Sequence, residues 1–152
     1  MAPPGAWQRA GSGSINPKKQ IKYRYNISRR QMESPFLHIS REDWLMEGEH
    51  FFVIRDKYPV SEGHLLIISK VLRRDYFSLT GEEKAELPAM IDKAAALLEG
   101  EGPDGWNIGM NCGDAGGQTV FHFHCHVIPR YKGDMEDPRG GVRHAVAGKG
   151  YY

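Results

Sequence analysis

Three histidines alternate with apolar residues in Phe121-His122-Phe123-His124-Cys125-His126-Val127-Ile128-Pro129-Arg130. Successive side chains of a β-strand point to opposite faces, so this spacing puts His122, His124 and His126 on one face and Phe123, Cys125 and Val127 on the other. One face is then core and the other chemistry. Same-face neighbours lie roughly 7 Å apart and His122 to His126 spans about 13 Å, too far for one metal ion to collect all three without a bulge. A row of imidazoles at that pitch suits an extended substrate. Neutral imidazole, with a pKa of about 6.5, is a nucleophile near neutral pH when its second ring nitrogen is held as an N–H donor, and a backbone carbonyl can hold it. A zinc chelate by His122 and His124 is a competing reading, but the motif offers it no acidic or Cys partner.

Ahead of this stretch runs Asn111-Cys112-Gly113-Asp114-Ala115-Gly116-Gly117-Gln118-Thr119, whose glycines let backbone N–H groups approach a ligand closely. Such a loop is an anion cradle. Loop and histidines together, Gly-Gln-Thr-Val-Phe-His-Phe-His-Cys-His-Val-Ile-Pro-Arg, resemble the histidine triad (HIT) family of nucleotide hydrolases and transferases, whose signature alternates three histidines with apolar residues.

The elements that must position these side chains follow from periodicity. His-Phe-Phe-Val-Ile-Arg at 50–55 and His-Leu-Leu-Ile-Ile-Ser at 64–69 are short aromatic and β-branched runs, hence strands, forming an antiparallel pair with a long, turn-rich connection. His64 stands at the re-entry point, after Gly63. Thr80-Gly81-Glu82-Glu83 is a capping box, and Leu87, Met90, Ile91, Ala94, Leu97 and Leu98 hold an apolar stripe. This predicts one amphipathic helix of about five turns, with Pro88 as a kink point. Residues 40–46 predict a short helix of one or two turns, residues 106–111 a strand leading into the loop, residues 21–27 an edge strand, and residues 131–152 an irregular tail. Strands around one main helix, without βαβ alternation, imply an α+β domain with an antiparallel sheet.

With 152 residues, 40% hydrophobic and 26% charged, the chain reads as one soluble domain. It has no apolar run long enough to span a membrane and no secretory h-region at its start, so a cytoplasmic home is the default. Cys112 and Cys125 predict no disulfide, and Cys125 reads as a small buried apolar residue. The net charge of +1 is unevenly spread. Residues 1–33 hold seven Lys and Arg against Glu33 alone, a net +6, so the remainder carries −5. Residues 1–33 therefore read as a basic, partly disordered extension, and residues 34–152 as the folded domain, beginning at Ser34-Pro35.

The resemblance spans residues 34–152. It implies a HIT-like fold with one main helix and a short one, a homodimer joining two sheets, a nucleotide substrate and no organic cofactor, with divalent metal entering only through substrate phosphates. His124, the central histidine, would be the nucleophile of a nucleotidyl-histidine intermediate that water resolves to a nucleoside monophosphate. His126 would assist the leaving group, His122 orient its neighbours, and His64, the family's fourth histidine, support the cluster by hydrogen bonding. Gly117, Gln118 and Thr119 match phosphate contacts, Asn111 a ribose and α-phosphate contact, and Asp56 a ribose contact. Phe52 and Ile54 would wall the base pocket. The segment 133–143 resembles the tail of a bacterial branch labelled diadenosine polyphosphate hydrolase-like, and Arg130, Arg139 and Arg143 would reach distal phosphates. Rival readings are a purine nucleoside phosphoramidase, a nucleotidyl transferase or phosphorylase, and a nucleotide-binding scaffold with incidental activity. Nucleic acid binding is not favoured, since no zinc-finger segment accompanies the basic extension.

Overall fold

A computed structural model describes residues 34–151. The basic extension and the edge strand expected at residues 21–27 lie outside the described residues. Five strands, β1 (Met46–Glu47), β2 (Phe51–Arg55), β3 (Leu65–Ser69), β4 (Gly105–Gly109) and β5 (His124–Arg130), form one sheet in the order β1-β2-β3-β5-β4, and every neighbouring pair is antiparallel. One helix, α1 (Gly81–Ala96), covers one face. This is the α+β architecture expected from the sequence.

The apolar runs of β2 and β3 are buried on both faces, which is why they read as continuous hydrophobic stretches. Toward α1 they send Phe51, Val53, Leu65 and Ile67, which meet Leu87, Met90, Ala94 and Leu98 together with Phe123, Cys125 and Val127. The other face carries Phe52, Ile54, Leu66 and Ile68, partly covered by Phe36, Ile39 and Trp44. Fully burying side chains of this size contributes about 1.5–3 kcal/mol each. Cys125 sits in the helix-side core, and burial pushes its thiol up to about 11, so it is a packing residue.

The helix starts where the capping box predicts. Thr80 Oγ1 accepts the Glu83 N–H and Glu83 accepts the Thr80 N–H in return. Pro88 lies inside α1, which continues past it to Ala96. Its ring is on the exposed side, where water can serve the carbonyl that proline leaves without a donor.

Two expectations change. The short helix expected at residues 40–46 is a single 3-10 turn, Arg41–Asp43, and the chain then extends into β1 because Met46 and Glu47 pair with Val53 and Phe52. The strand expected from Phe121 begins only at His124. Phe123 N–H is taken by the Arg73 carbonyl at 2.6 Å while its own carbonyl still accepts the Ser69 N–H at 3.3 Å, so regular pairing ends there.

That junction is braced from the helix. Glu83, only 3% exposed, accepts from Arg73 Nε at 2.9 Å and from the Thr80 N–H at 2.7 Å. Glu83→Ala leaves both donors unmatched, and chemical denaturation should register a loss of about 2–3 kcal/mol.

Candidate active site

The antiparallel register sets His126 opposite Leu66 and His124 opposite Ile68, so both imidazoles emerge on the face that α1 does not cover. On the other flank of β5, His126 pairs with Gly109. The His124 and His126 ring centroids are 5.1 Å apart, steeply inclined, and those of His126 and His64 also 5.1 Å.

The hydrogen bonds decide the tautomers. His124 Nδ1 lies 2.8 Å from the His122 carbonyl, an acceptor only, so the ring proton is on Nδ1 and the Nε2 lone pair is free. Val60 N–H donates to His64 Nδ1 at 3.2 Å, which puts the His64 proton on Nε2. From there it is donated to His126 Nδ1 at 2.9 Å, and neutral His126 must carry its own proton on Nε2. A backbone amide thus sets a two-imidazole relay. Gly63, with φ +85°, permits the turn that returns the chain into His64.

His122 departs from the sequence expectation. It is fully buried and precedes the strand, its ring 5.6 Å from the same Phe36 that meets His124. Its Nε2–H donates to the Ser69 carbonyl and its Nδ1 accepts from the Ser34 hydroxyl, each at 2.7 Å. It orients His124 through its main-chain carbonyl rather than its ring. With both ring nitrogens engaged, it forms no chelate with His124.

Burial lowers the pKa of all three enclosed imidazoles. For His126, desolvation reinforced by the His124 and His64 rings, and only partly offset by the Asp56 carboxylate, brings the value down to about 4. His64 is lowered by burial against the opposing pull of Asp56, and His122 by burial despite its Ser69 carbonyl. Asp56 Oδ2 is 3.5 Å from His64 Nε2 and 3.9 Å from His126 Nδ1, while its Oδ1 accepts the Tyr58 N–H. Asp56, His64 and His126 are close enough to share one divalent ion, although hydrogen bonds already account for their contacts.

Above the rings opens a cavity of about 540 Å³, lined by Phe36, Ile39, Ile54, Asp56, Tyr58, Leu66, Thr119, His124 and His126. Ile54 is where the sequence placed it. Phe52 is not, since its ring is stacked 4.1 Å beneath Trp44. Phe36 and Ile39 take that wall instead, and Phe36 meets His124 edge-on at 5.2 Å. The signal for them was present in the apolar run after Ser34-Pro35, which the sequence assigned only to a domain boundary.

The cradle loop is narrower than expected. The N–H groups of Gly117 and Gln118 are spent on the Asp114 and Gly113 carbonyls, and the Gln118 side chain bonds Gly113 N–H and the Arg74 and Val120 carbonyls. These residues build the loop, and Thr119 faces the cavity. Asn111 lines a second cavity on the other side of His126.

None of the three arginines lines the cavity over His124. Arg130 grips Asp134 with two bonds of 2.6 and 2.7 Å and donates to Asn107, holding the Asp134 carboxyl down at about 2. Arg139 does the same to Asp137, and Arg143 donates to the Lys149 and Gly150 carbonyls. In this structure these contacts hold the tail together.

A model of the HIT domain family matches residues 40–133. An "AP-4-A phosphorylase" of Mycobacterium tuberculosis is 36% identical over 100 residues, covering 63% of this chain and 51% of that protein. "Adenylylsulfatase HINT3" of Arabidopsis thaliana is 35% identical over 106 residues, covering 67% of this chain and 49% of that one. The chain thus spans about half the length of these curated relatives. A HIT family protein crystal structure from Bacillus anthracis is 40% identical, with TM-score 0.57 over 60% of this chain and 66% of that one.

The relay predicts an acid limit. An unfolded imidazole takes its proton near 6.5 whereas folded His126 takes it near 4, so the unfolded chain binds more protons and folding stability falls as pH drops from 6.5 toward 4. Imidazole ¹⁵N shifts should report His126 as the Nε2–H tautomer and His124 as the Nδ1–H tautomer at neutral pH, with His126 titrating well below 6.5.

Proposed function

Since the chain belongs to the HIT domain family, we propose that it is a nucleotide hydrolase, cleaving at the α-phosphate of a nucleotide through a nucleotidyl-His124 intermediate. One observation carries this reading. His124 directs an unprotonated ring nitrogen to a cavity that also holds a hydroxyl, a carboxylate and an apolar slot. These are the groups needed to receive a phosphate, a ribose and a base.

The nucleoside lies with its base between Phe36, Ile39 and Ile54 and its ribose hydroxyls on Asp56, an acceptor suited to two vicinal donors. Thr119 and the His126 Nε2–H bind the phosphate oxygens. His124 Nε2 attacks the α-phosphorus. The positive charge that develops on the His124 ring is shared through Nδ1–H with the His122 carbonyl, whose position the Ser34 and Ser69 bonds maintain. Water then attacks the phosphorus, and the nucleoside monophosphate is released. Two relatives whose names denote nucleotide-processing enzymes, a phosphorylase and an adenylylsulfatase, support the class. A second copy joined along β4, an outer strand of the sheet, completes the proposal as a homodimer.

Release of adenosine monophosphate should be measured from diadenosine tetraphosphate, diadenosine triphosphate and an adenosine phosphoramidate. His124→Ala should lower the rate on every accepted substrate by at least about a thousandfold, as loss of a nucleophile does. Nucleotide binding without turnover by the unaltered chain would instead indicate a binding module, and adenosine diphosphate in place of monophosphate, formed from diadenosine tetraphosphate only when inorganic phosphate is in excess, would indicate a phosphorylase. Light scattering should return twice the chain mass.

A further inference from the structure

Three atoms of metal-binding type, from separate parts of the chain, converge beside His126. Asp56 Oδ2 follows β2, His64 Nε2 precedes β3, and His126 Nδ1 stands on β5. His64 Nε2 and His126 Nδ1 are 2.9 Å apart, and Asp56 Oδ2 lies 3.5 Å from the first and 3.9 Å from the second. Among the described residues, this is the one group of three His, Cys, Asp or Glu side chains close enough to hold an ion together. Residues 1–33 contain no His or Cys, so they add no imidazole or thiolate to the choice.

Tetrahedral zinc has bonds of about 2.0–2.1 Å to imidazole nitrogen and carboxylate oxygen, which sets its ligand atoms about 3.3 Å apart. The three separations bracket that value, and shifts of roughly half an ångström close the set. Two imidazoles with one carboxylate suit zinc and its transition-metal neighbours, whereas magnesium and calcium prefer oxygen alone. Three protein ligands leave a fourth position for water. An ion has a way in, since Asp56 and His126 line the cavity over His124 and keep 13% and 25% of their side chains exposed.

The hydrogen bonds of the relay are an alternative to the ion. His64 Nε2 cannot carry both a proton and a metal, so metal binding moves the His64 proton to Nδ1 through solvent. There it meets the Val60 N–H, which Nδ1 accepts at 3.2 Å in the metal-free relay. Two donors cannot share that bond, and the Val60 amide must turn away. Val60 is 73% exposed on its loop, so water is at hand to take over the amide.

We infer that Asp56, His64 and His126 form a binding site for one zinc ion in the nucleotide-free protein, and that the ion switches the catalytic site off. Bound zinc takes Asp56 Oδ2 from the ribose and the His126 Nδ1 lone pair from His64, so ion and substrate exclude one another. The effect on turnover rests on the hydrolase reading given above, whereas the site itself rests on geometry alone.

The test is a zinc titration of the whole chain, first freed of metal by a chelator, read by competition with a fluorescent zinc indicator and by imidazole ¹⁵N shifts. The expected result is one zinc ion per chain, with His64 changing from the Nε2–H to the Nδ1–H tautomer as the ion binds. Asp56→Asn and His64→Gln should each weaken binding at least about tenfold, since even a group that only supports a ligand is worth that much. His124→Ala and Cys112→Ser should bind zinc as the unaltered chain does. One equivalent of zinc should stop monophosphate release from any accepted substrate, and a chelator should restore it. Absence of binding, binding unchanged in both Asp56→Asn and His64→Gln, or an unchanged His64 tautomer overturns the zinc site and leaves the hydrolase reading intact. The tautomer is read on the unaltered chain, so a variant that fails to fold does not decide the outcome. Zinc that binds there without slowing monophosphate release overturns the switch. Monophosphate release that survives His124→Ala overturns the hydrolase reading, with the zinc site left to its own titration.

Discussion

The chemistry of this site depends on a single hydrogen bond, from His124 Nδ1–H to the carbonyl of His122. A carbonyl can only accept, so the bond selects one tautomer and leaves the lone pair on the nitrogen facing the cavity. A net contribution of about 1 kcal/mol suffices, because it has only to separate two tautomers of similar energy. In the proposed reaction the carbonyl must also stay in place while the ring becomes charged. Ser34 and Ser69 secure it by clamping the buried His122 ring from both sides.

The second imidazole is governed from farther away. Val60, on the loop between β2 and β3, sets the tautomer of His64, and His64 sets that of His126. Burial keeps both rings neutral despite the nearby Asp56 carboxylate, since removing a cation from water outweighs a partner 3.5–3.9 Å away. His126 is therefore a hydrogen-bond donor at neutral pH and a poor reservoir of protons. The sheet makes this arrangement possible by dividing its labour: α1 seals one face, and the open face is free to hold polar groups and cavities.

Much of this was legible in the chain. The period-two alternation through Cys125, His126 and Val127 correctly separated core from site, because a strand's pleat leaves no other option. The capping box at Thr80 located the start of α1 through local hydrogen bonding alone. The short helix expected at residues 40–46 stops after one turn because pairing of Met46 and Glu47 with β2 extends the chain beyond it. Phe52 and Phe36 exchanged roles because alternation names the face of a residue but not what covers it. Trp44 lies over Phe52, and the 3-10 turn Pro35–His38 brings Phe36 to the rings. The arginines are a related case. Arg130 and Arg139 look free in sequence, yet each has a carboxylate two or four residues away in position to take it.

By itself the sequence determined the family, the α+β class, the nucleophile candidate and the face on which it stands, since all of these follow from residue types at short, regular spacings. Only the tertiary structure decided which ring nitrogens bear protons, that His122 acts from the interior through its carbonyl, and that His126 borders two cavities. Those properties rest largely on contacts between residues far apart in the chain, Ser34 and Ser69 with His122, His64 with His126, and the Gly141–Ala145 turn with β4. Such contacts leave no periodic trace in the sequence, because each depends on where a backbone amide, a carbonyl or a loop arrives once the sheet has formed.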